Sequence, residues 1–256
     1  MFGLLTMRYL TGVSLMQLDK LIVKNSSEFS TMPEEYKELV FHQMRQHVEG
    51  ELIGASDYME IFYPLAPDAF EMKVCCQRAS EELDHFILGS AVLKDIGFDA
   101  HYMLKQSTAQ RRYYKTEGVE FVKNWLQRGL FSFIGEAVVL SILEEMACSS
   151  YVPIAEMTRS IIIDEHVHVT HGRRIVEKIV YEEGVDAVQE EFDVAWNMSL
   201  DLFGKSDSER SKKYVQWGLR KYTNADARNR FVESIRPHLK KIGLQIPKDE
   251  SRRKFL

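Results

Sequence analysis

The sequence predicts an all-α protein, four long helices paired as two hairpins with a long crossover between them and extra helices at the C-terminus. Three observations predict it. Apolar residues recur at helical spacing through four long segments, and no stretch alternates with the period of two that a half-buried strand needs. The six prolines and fourteen glycines fall mostly between the periodic segments.

The elements follow in order. In STMPEE, Ser30 or Thr31 is placed to cap the first helix, with Pro33 in its first turn and acids after it. The pattern runs to about Phe62 and stops near YPLAP. Asp68 with Glu71 resembles a capping box and opens the second helix, which continues to about Asp95 and ends at Gly97. FDAHYMLKQSTAQRRYYKTE is too polar and irregular to receive an element. The third helix runs from about Val119 to Ala147, where CSSYVP breaks it. The fourth runs from about Ile154 to Glu183 and ends at Gly184. Two or three more helices fill the remainder, with breaks at FGKSDS and KYTNAD. One domain is expected over residues 1–256, with the core bundle over about 31–184 and the C-terminal helices over about 185–245. Two hairpins joined by a long crossover have the connectivity of a ferritin-like bundle.

Composition narrows the function classes. At 256 residues the chain can build one large core, and 45% apolar with 28% charged residues is an ordinary soluble balance. A formal charge of −5 and the lack of a sustained basic stripe argue against a nucleic-acid surface. Cys75, Cys76 and Cys148 are too few and too irregularly spaced for a disulfide framework, and read as reduced thiols packed in helices. No apolar run is read as approaching about 18 residues, so no membrane span is expected. The N-terminal MFGLLTMRYLTGVSLM lacks the layout of a signal peptide, and a reducing, cytoplasmic location is expected.

One device occurs twice. ASEELDHF carries Glu82 and His85, and IIIDEHVHV carries Glu165 and His168. Residues three apart on a helix share a face, so each pair can point at one object. A dinuclear carboxylate site in such a bundle needs one further acid from each of the other two helices, at the same height. If the first hairpin turns near Ala66–Pro67, the residue level with Glu82 is Glu51. If the second turns near Tyr151, the partner of Glu165 falls near residue 137, beside Glu136. Glu136 is isolated in the apolar FSFIGEAVVLSIL, a costly place for a carboxylate unless it is paired or binds a cation.

Four carboxylates and two imidazoles suit a pair of iron or manganese ions better than zinc or calcium. The expected roles are Glu82 and Glu165 bridging, Glu51 and Glu136 terminal, and one histidine on each metal. A metal-binding histidine usually donates its other ring N–H to a carboxylate. Asp164 is placed to serve His85 in this way, and Glu81 to serve His168. Arg78, one turn before Glu82, is placed either to neutralise a ligand carboxylate or to pair at the surface. Tyr58, Phe62, Phe133 and Leu140 share the site faces and read as core or as substrate-pocket residues. Gly54, Gly89 and Gly172 permit close helix approach or leave room for a substrate. Of the remaining polar residues, His42, His47, His166 and His171 read as surface or polar-face residues, Glu144, Glu145, Glu182 and Glu183 as solvated, and Lys212, Lys213, Arg220 and Lys221 as a solvated face or as contacts for a substrate phosphate. No side chain beyond the metal ligands is required as a nucleophile.

With those residues in place, the chain resembles the catalytic subunit of the phenylacetyl-CoA epoxidase family, which belongs to phenylacetic acid catabolism. GELIGASDY, ASEELDHF and IIIDEHVHVTHG match the family's ligand-bearing segments, and WGLRKYTNADARNRFVESIRPHLKKIGLQIP resembles its closing segment. The chain departs from the family in carrying Glu136 where aspartate is frequent and Arg78 where lysine is typical. The resemblance implies a di-iron monooxygenase that activates O2 and epoxidises the ring of an aromatic acyl-CoA. It also implies an oligomeric assembly, an electron-donating reductase and a metal-free sister subunit. A related di-iron oxidase carrying out N-oxygenation, hydroxylation or desaturation shares the same ligands, as would a non-catalytic metal-binding subunit. A Mn/Fe or Mn pair satisfies the same donor set as two irons.

Overall fold

In the computed structural model, residues 21–107, 110, 119, 121–250 and 253–255 are described. The MFGLLTMRYLTGVSLM segment lies outside the described residues, as does most of the chain between Ser107 and Val119.

Asp68 is in extended backbone and its side chain accepts a 2.9 Å hydrogen bond from the Glu71 N–H, so a donor orphaned at the helix start is satisfied. Asn124 does the same for Gln127 at 2.8 Å. These caps set where the second and third long helices begin. The first begins differently: Pro33, not Ser30 or Thr31, holds the cap position, and no side chain caps that helix. Ser30 closes a short helix, α1 (Ser26–Ser30), and Thr31 follows it.

The long elements are α2 (Glu34–Asp57), α4 (Ala69–Asp95), α5 (Trp125–Leu130), α6 (Glu136–Met146) and α7 (Val152–Glu183). A π turn at Tyr58–Phe62 and a short α3 (Tyr63–Leu65) extend α2, and a π turn at Phe131–Gly135 joins α5 to α6. The third helix therefore starts at Trp125 rather than Val119, because Asn124 is the cap and the preceding residues are irregular. The C-terminal part holds α8 (Asp186–Leu200), α9 (Glu209–Gln216) and α10 (Asn224–Ile242). The crossover contributes a 3₁₀ turn at Ala100–Lys105. The only β-type contact among the described residues is the isolated bridge Val23–Tyr151, so the protein is an all-α helical bundle.

α2 packs along α4, α5 and α6 pack along α7, and α4 meets α7 between the two hairpins. Gly172 on α7 permits the closest approach. A Cβ there would stand 2.5 Å from the Phe133 backbone nitrogen, so α7 lies directly on the second π turn.

One stretch, Trp125–Met146, is long and apolar enough to cross a membrane by length and composition, with a mean hydropathy of 1.4 over its most apolar window. The expectation that no such run exists is corrected. Its apolarity has a packing reason: α5, the π turn and α6 are covered by α7 and α8, and 61% of that window is buried. Leu130, Ile134 and Val138 join Val176, Phe192 and Trp196 in one core cluster. A second cluster fills the other end of the bundle around Tyr36, Met44 and Leu93. A third gathers Tyr58, Phe62, Cys75 and Ala79 with Val119 and Val122. Along α4 Glu82 and His85 fall between Ala79 of the third cluster and Phe86 of the second, and on α2 Glu51 lies between Val48 and Leu52 of the second.

Two of the solvated readings are also corrected, Glu145 and Arg220. Glu145 is 5% exposed and accepts hydrogen bonds from Arg220 at 3.1 Å and from the Tyr222 N–H at 3.1 Å. Arg220 is thereby buried in an ion pair that ties α6 to the turn before α10. The three cysteines are free, but Cys76 is exposed and Cys148 lies in a turn beyond α6.

Candidate metal centre

A helix brings i, i+3 and i+4 to one face, and here two helices each turn such a face inward. Glu82 and His85 on α4 are 7% and 1% exposed, and Glu165 and His168 on α7 are 3% and 0%. Glu51 from α2 and Glu136 from the start of α6 are also buried. All six predicted residues therefore point into the bundle.

Four of them form the tightest group. Glu51, Glu82, His85 and Glu165 each offer one ligand atom, and those atoms lie within 4.8 Å of one another. Nδ1 of His85 is 3.3 Å from Glu51 Oε2 and 3.2 Å from Glu165 Oε1. Nδ1 of His168 is 3.3 Å from Glu82 Oε1 and 3.9 Å from Glu165 Oε2, which sets this imidazole beside the group. The two ring planes are inclined at 29°, with centres 6.4 Å apart. Glu136 stands outside the group of four. Its Oε1 accepts a 2.9 Å hydrogen bond from the Tyr58 hydroxyl, and the Tyr58 ring lies 5.9 Å from that of His168. Both partners adjoin a π turn, Tyr58 opening the first and Glu136 closing the second. Such turns shift the side chains that follow them relative to a plain α-helix.

Each imidazole turns Nε2 outward to an acid on the opposite helix. His168 Nε2 is 2.8 Å from Glu81 Oε2, and His85 Nε2 is 3.4 Å from Asp164 Oδ2. Glu81 is also paired with Arg78, itself 7% exposed. With Nε2–H held by a carboxylate, each Nδ1 faces the cluster. Sequence reasoning missed His47, whose side chain is 6% exposed and sets Nδ1 3.0 Å from Glu51 Oε1. Its signal was available: His47 lies one turn before Glu51 and hence on the same inward face. Of the pocket residues, Tyr58 and Phe62 adjoin the site in the third core cluster, whereas Phe133 packs into the cluster beneath α8. Leu140 is buried on α6. Gly54 leaves space for Glu82, since a Cβ there would sit 2.9 Å from the Glu82 carboxylate.

The electrostatics describe too much negative charge in one place. Burial pushes Glu82 well above the usual carboxylate range, helped by the charges of Glu51 and Glu165 and against the hydrogen bond from His168. Burial likewise raises Glu165. Burial would raise Glu51 too, but His47 and His85 outweigh it and hold it well below its ordinary value. Burial opposes charge on the imidazoles, yet the surrounding carboxylates push His85 up to about 11 and His168 to about 10. In the absence of cations, protons compensate the carboxylates. Among the six predicted ligands, two buried atoms have no hydrogen-bond partner, Glu136 Oε2 and His168 Nδ1. An unpaired His168 Nδ1 beside the carboxylates fits a metal ion, and the cluster could hold one.

Comparison with known proteins bears on this geometry. The family model described as phenylacetic acid catabolic protein matches residues 23–254. The chain is 20% identical over 222 residues to a component of 1,2-phenylacetyl-CoA epoxidase, its A chain, from Escherichia coli (strain K12). The match covers 84% of this chain and 71% of that relative.

Proposed function

The chain belongs to the phenylacetic acid catabolic protein family, and from that membership and its buried cluster we propose that it is the metal-bearing component of a di-iron monooxygenase for an aromatic acyl-CoA. The observation that carries the reading is the convergence of Glu51, Glu82, His85 and Glu165, with His168 alongside, in the interior of the bundle. The family supports an oxygenase role in general, and the relative's name supplies the acyl-CoA and the epoxidation.

In this reading Glu51, Glu82, Glu136 and Glu165 would supply the carboxylate ligands for two ions, and His85 and His168 the imidazole ligands. Two iron ions held there would supply the redox chemistry that, with two electrons from a reductase, divides O2 between the substrate and water. The chain supplies geometry and dryness. Glu81 and Asp164 hold the imidazole tautomers, Tyr58 orients Glu136 through its hydroxyl, and the apolar clusters on either side keep out water. Manganese could replace one or both irons in the same donor set. The reading also assigns an oligomeric assembly with an electron-donating reductase and a metal-free sister subunit. It assigns a cytoplasmic location too, in keeping with three free cysteines.

The test is turnover of phenylacetyl-CoA with a surrogate reductase under O2, products being followed by mass spectrometry. A product heavier by one oxygen, dependent on iron, is expected. Two metal ions per chain with no oxygenated product from any aryl-acyl thioester would sink the substrate assignment. A purified protein that takes up no iron would sink the whole reading.

A further inference from the structure

Arg128 is the largest completely buried side chain among the described residues. Its guanidinium carries a permanent charge and five N–H donors, yet Nε, Nη1 and Nη2 all lack a hydrogen-bond partner. Three aromatic rings surround it instead, Trp125 at 5.2 Å, Tyr58 at 5.5 Å and Phe62 at 5.6 Å from the guanidinium carbon. Cation–π contact offsets part of the cost of burying the charge. A ring face offers no oxygen lone pairs to the planar N–H fork, which is shaped for two acceptor oxygens. Neither nearby acid bonds it: Glu71 lies 2.9 Å from His171 Nε2 with its Oε2 likewise lacking a hydrogen bond, and Glu81 is held by Arg78 and His168. The remainder of the burial cost is recovered by no hydrogen bond among the described residues.

The position of this charge is specific. Tyr58 contacts Arg128 with its ring, approaches the His168 ring at 5.9 Å and donates its hydroxyl to Glu136. One aromatic side chain therefore separates the unfilled fork from the cluster of acids and imidazoles.

We propose that Arg128 binds the acyl oxygen of the substrate, carboxylate or thioester, and that the aryl group lies against Tyr58, Phe62 and Trp125 beside the metal cluster. This rests on the oxygenase reading and deepens it by naming the group the site grips. Arg128 is a specificity-determining residue here and takes no part in the oxygen transfer itself. A carboxylate neutralises the guanidinium and takes both arms of the fork. A thioester carbonyl takes one arm and leaves the charge, so the two sources differ in affinity.

The experiment is calorimetric titration of the full-length, iron-loaded protein under anaerobic conditions with phenylacetate, phenylacetyl-CoA and ethylbenzene, which lacks the acyl oxygen. At least one acyl probe binds the parent protein. Arg128→Met weakens that binding at least tenfold, Arg128→Lys weakens it less, and ethylbenzene affinity stays within twofold. The probe with the larger loss identifies the source. In the absence of ligand, Arg128→Met melts at or above the parent temperature, because an unpaired buried charge has gone. The inference is overturned if neither acyl probe binds, if Arg128→Met keeps the acyl affinity, if ethylbenzene affinity falls equally, or if the variant melts lower. Iron content and iron-dependent O2 uptake of the parent protein test the oxygenase reading separately. A protein that binds iron and consumes O2, but whose acyl affinity ignores Arg128, overturns this inference alone.

Discussion

Glu81 on α4 reaches across to α7 and sits 2.8 Å from Nε2 of His168. Asp164 on α7 reaches back toward Nε2 of His85 on α4 at 3.4 Å. The two contacts are reciprocal, and each turns an Nδ1 toward the same cluster of carboxylates. Glu81→Gln exchanges the carboxylate for an amide that can no longer fix the tautomer so firmly. A loss of about 10–100-fold in iron affinity is expected, read by competition with a chelator, with helical content unchanged.

Without metal, the protein should weaken in alkali. His85 and His168 hold their protons far above the ordinary imidazole range, at about 11 and about 10. Stability from these shifts is fully present below the unfolded imidazole value of about 6.5 and is lost as pH rises through the folded values. Melting temperatures of chelator-treated protein should therefore fall steadily from pH 7 to pH 10. Iron-loaded protein should fall less, because the cations take over the role of the protons. Metal uptake should also release protons, visible as buffer-dependent heats in calorimetry.

Two glycines separate packing from metal binding. Gly172→Ala puts a methyl group 2.5 Å from both the Phe133 nitrogen and Ser132 Cβ, where backbone must move. A stability loss of about 1–3 kcal/mol is expected by urea denaturation. Gly54→Ala meets the far end of the Glu82 side chain at 2.9 Å, which can swing aside. That variant should keep nearly all of its stability and lose iron.

Glu145→Ala removes the partner of a guanidinium that is itself 9% exposed, along with the acceptor for two backbone N–H groups. Breaking a buried pair from one side costs about 3–5 kcal/mol. Iron binding should persist in whatever fraction remains folded, since the pair lies outside the cluster. A loss below about 1 kcal/mol would show that water reaches Arg220 freely.

The inward faces were legible because helical spacing is rigid. Once Glu82–His85 and Glu165–His168 sit on helices, their shared direction follows, and counting from a hairpin turn finds Glu51. Glu136 was reached by the same count, but the counting assumed an unbroken α-helix. A π turn lies immediately before it, and its carboxylate ends against Tyr58 rather than within the tight group of four. His47 and Glu145 were misread for a related reason. A charged residue on a helix looks solvated in a sequence until the element that covers it is known, and for Glu145 that element follows some 75 residues later.

The chain alone therefore determined the helices, their pairing and the acids and imidazoles they turn inward, because these depend on local periodicity and on caps such as Asp68. Tertiary packing decided which of those groups meet, which charges find a partner, and that Arg128 finds none. Such outcomes depend on distances between helices far apart in the chain, and no local pattern encodes them.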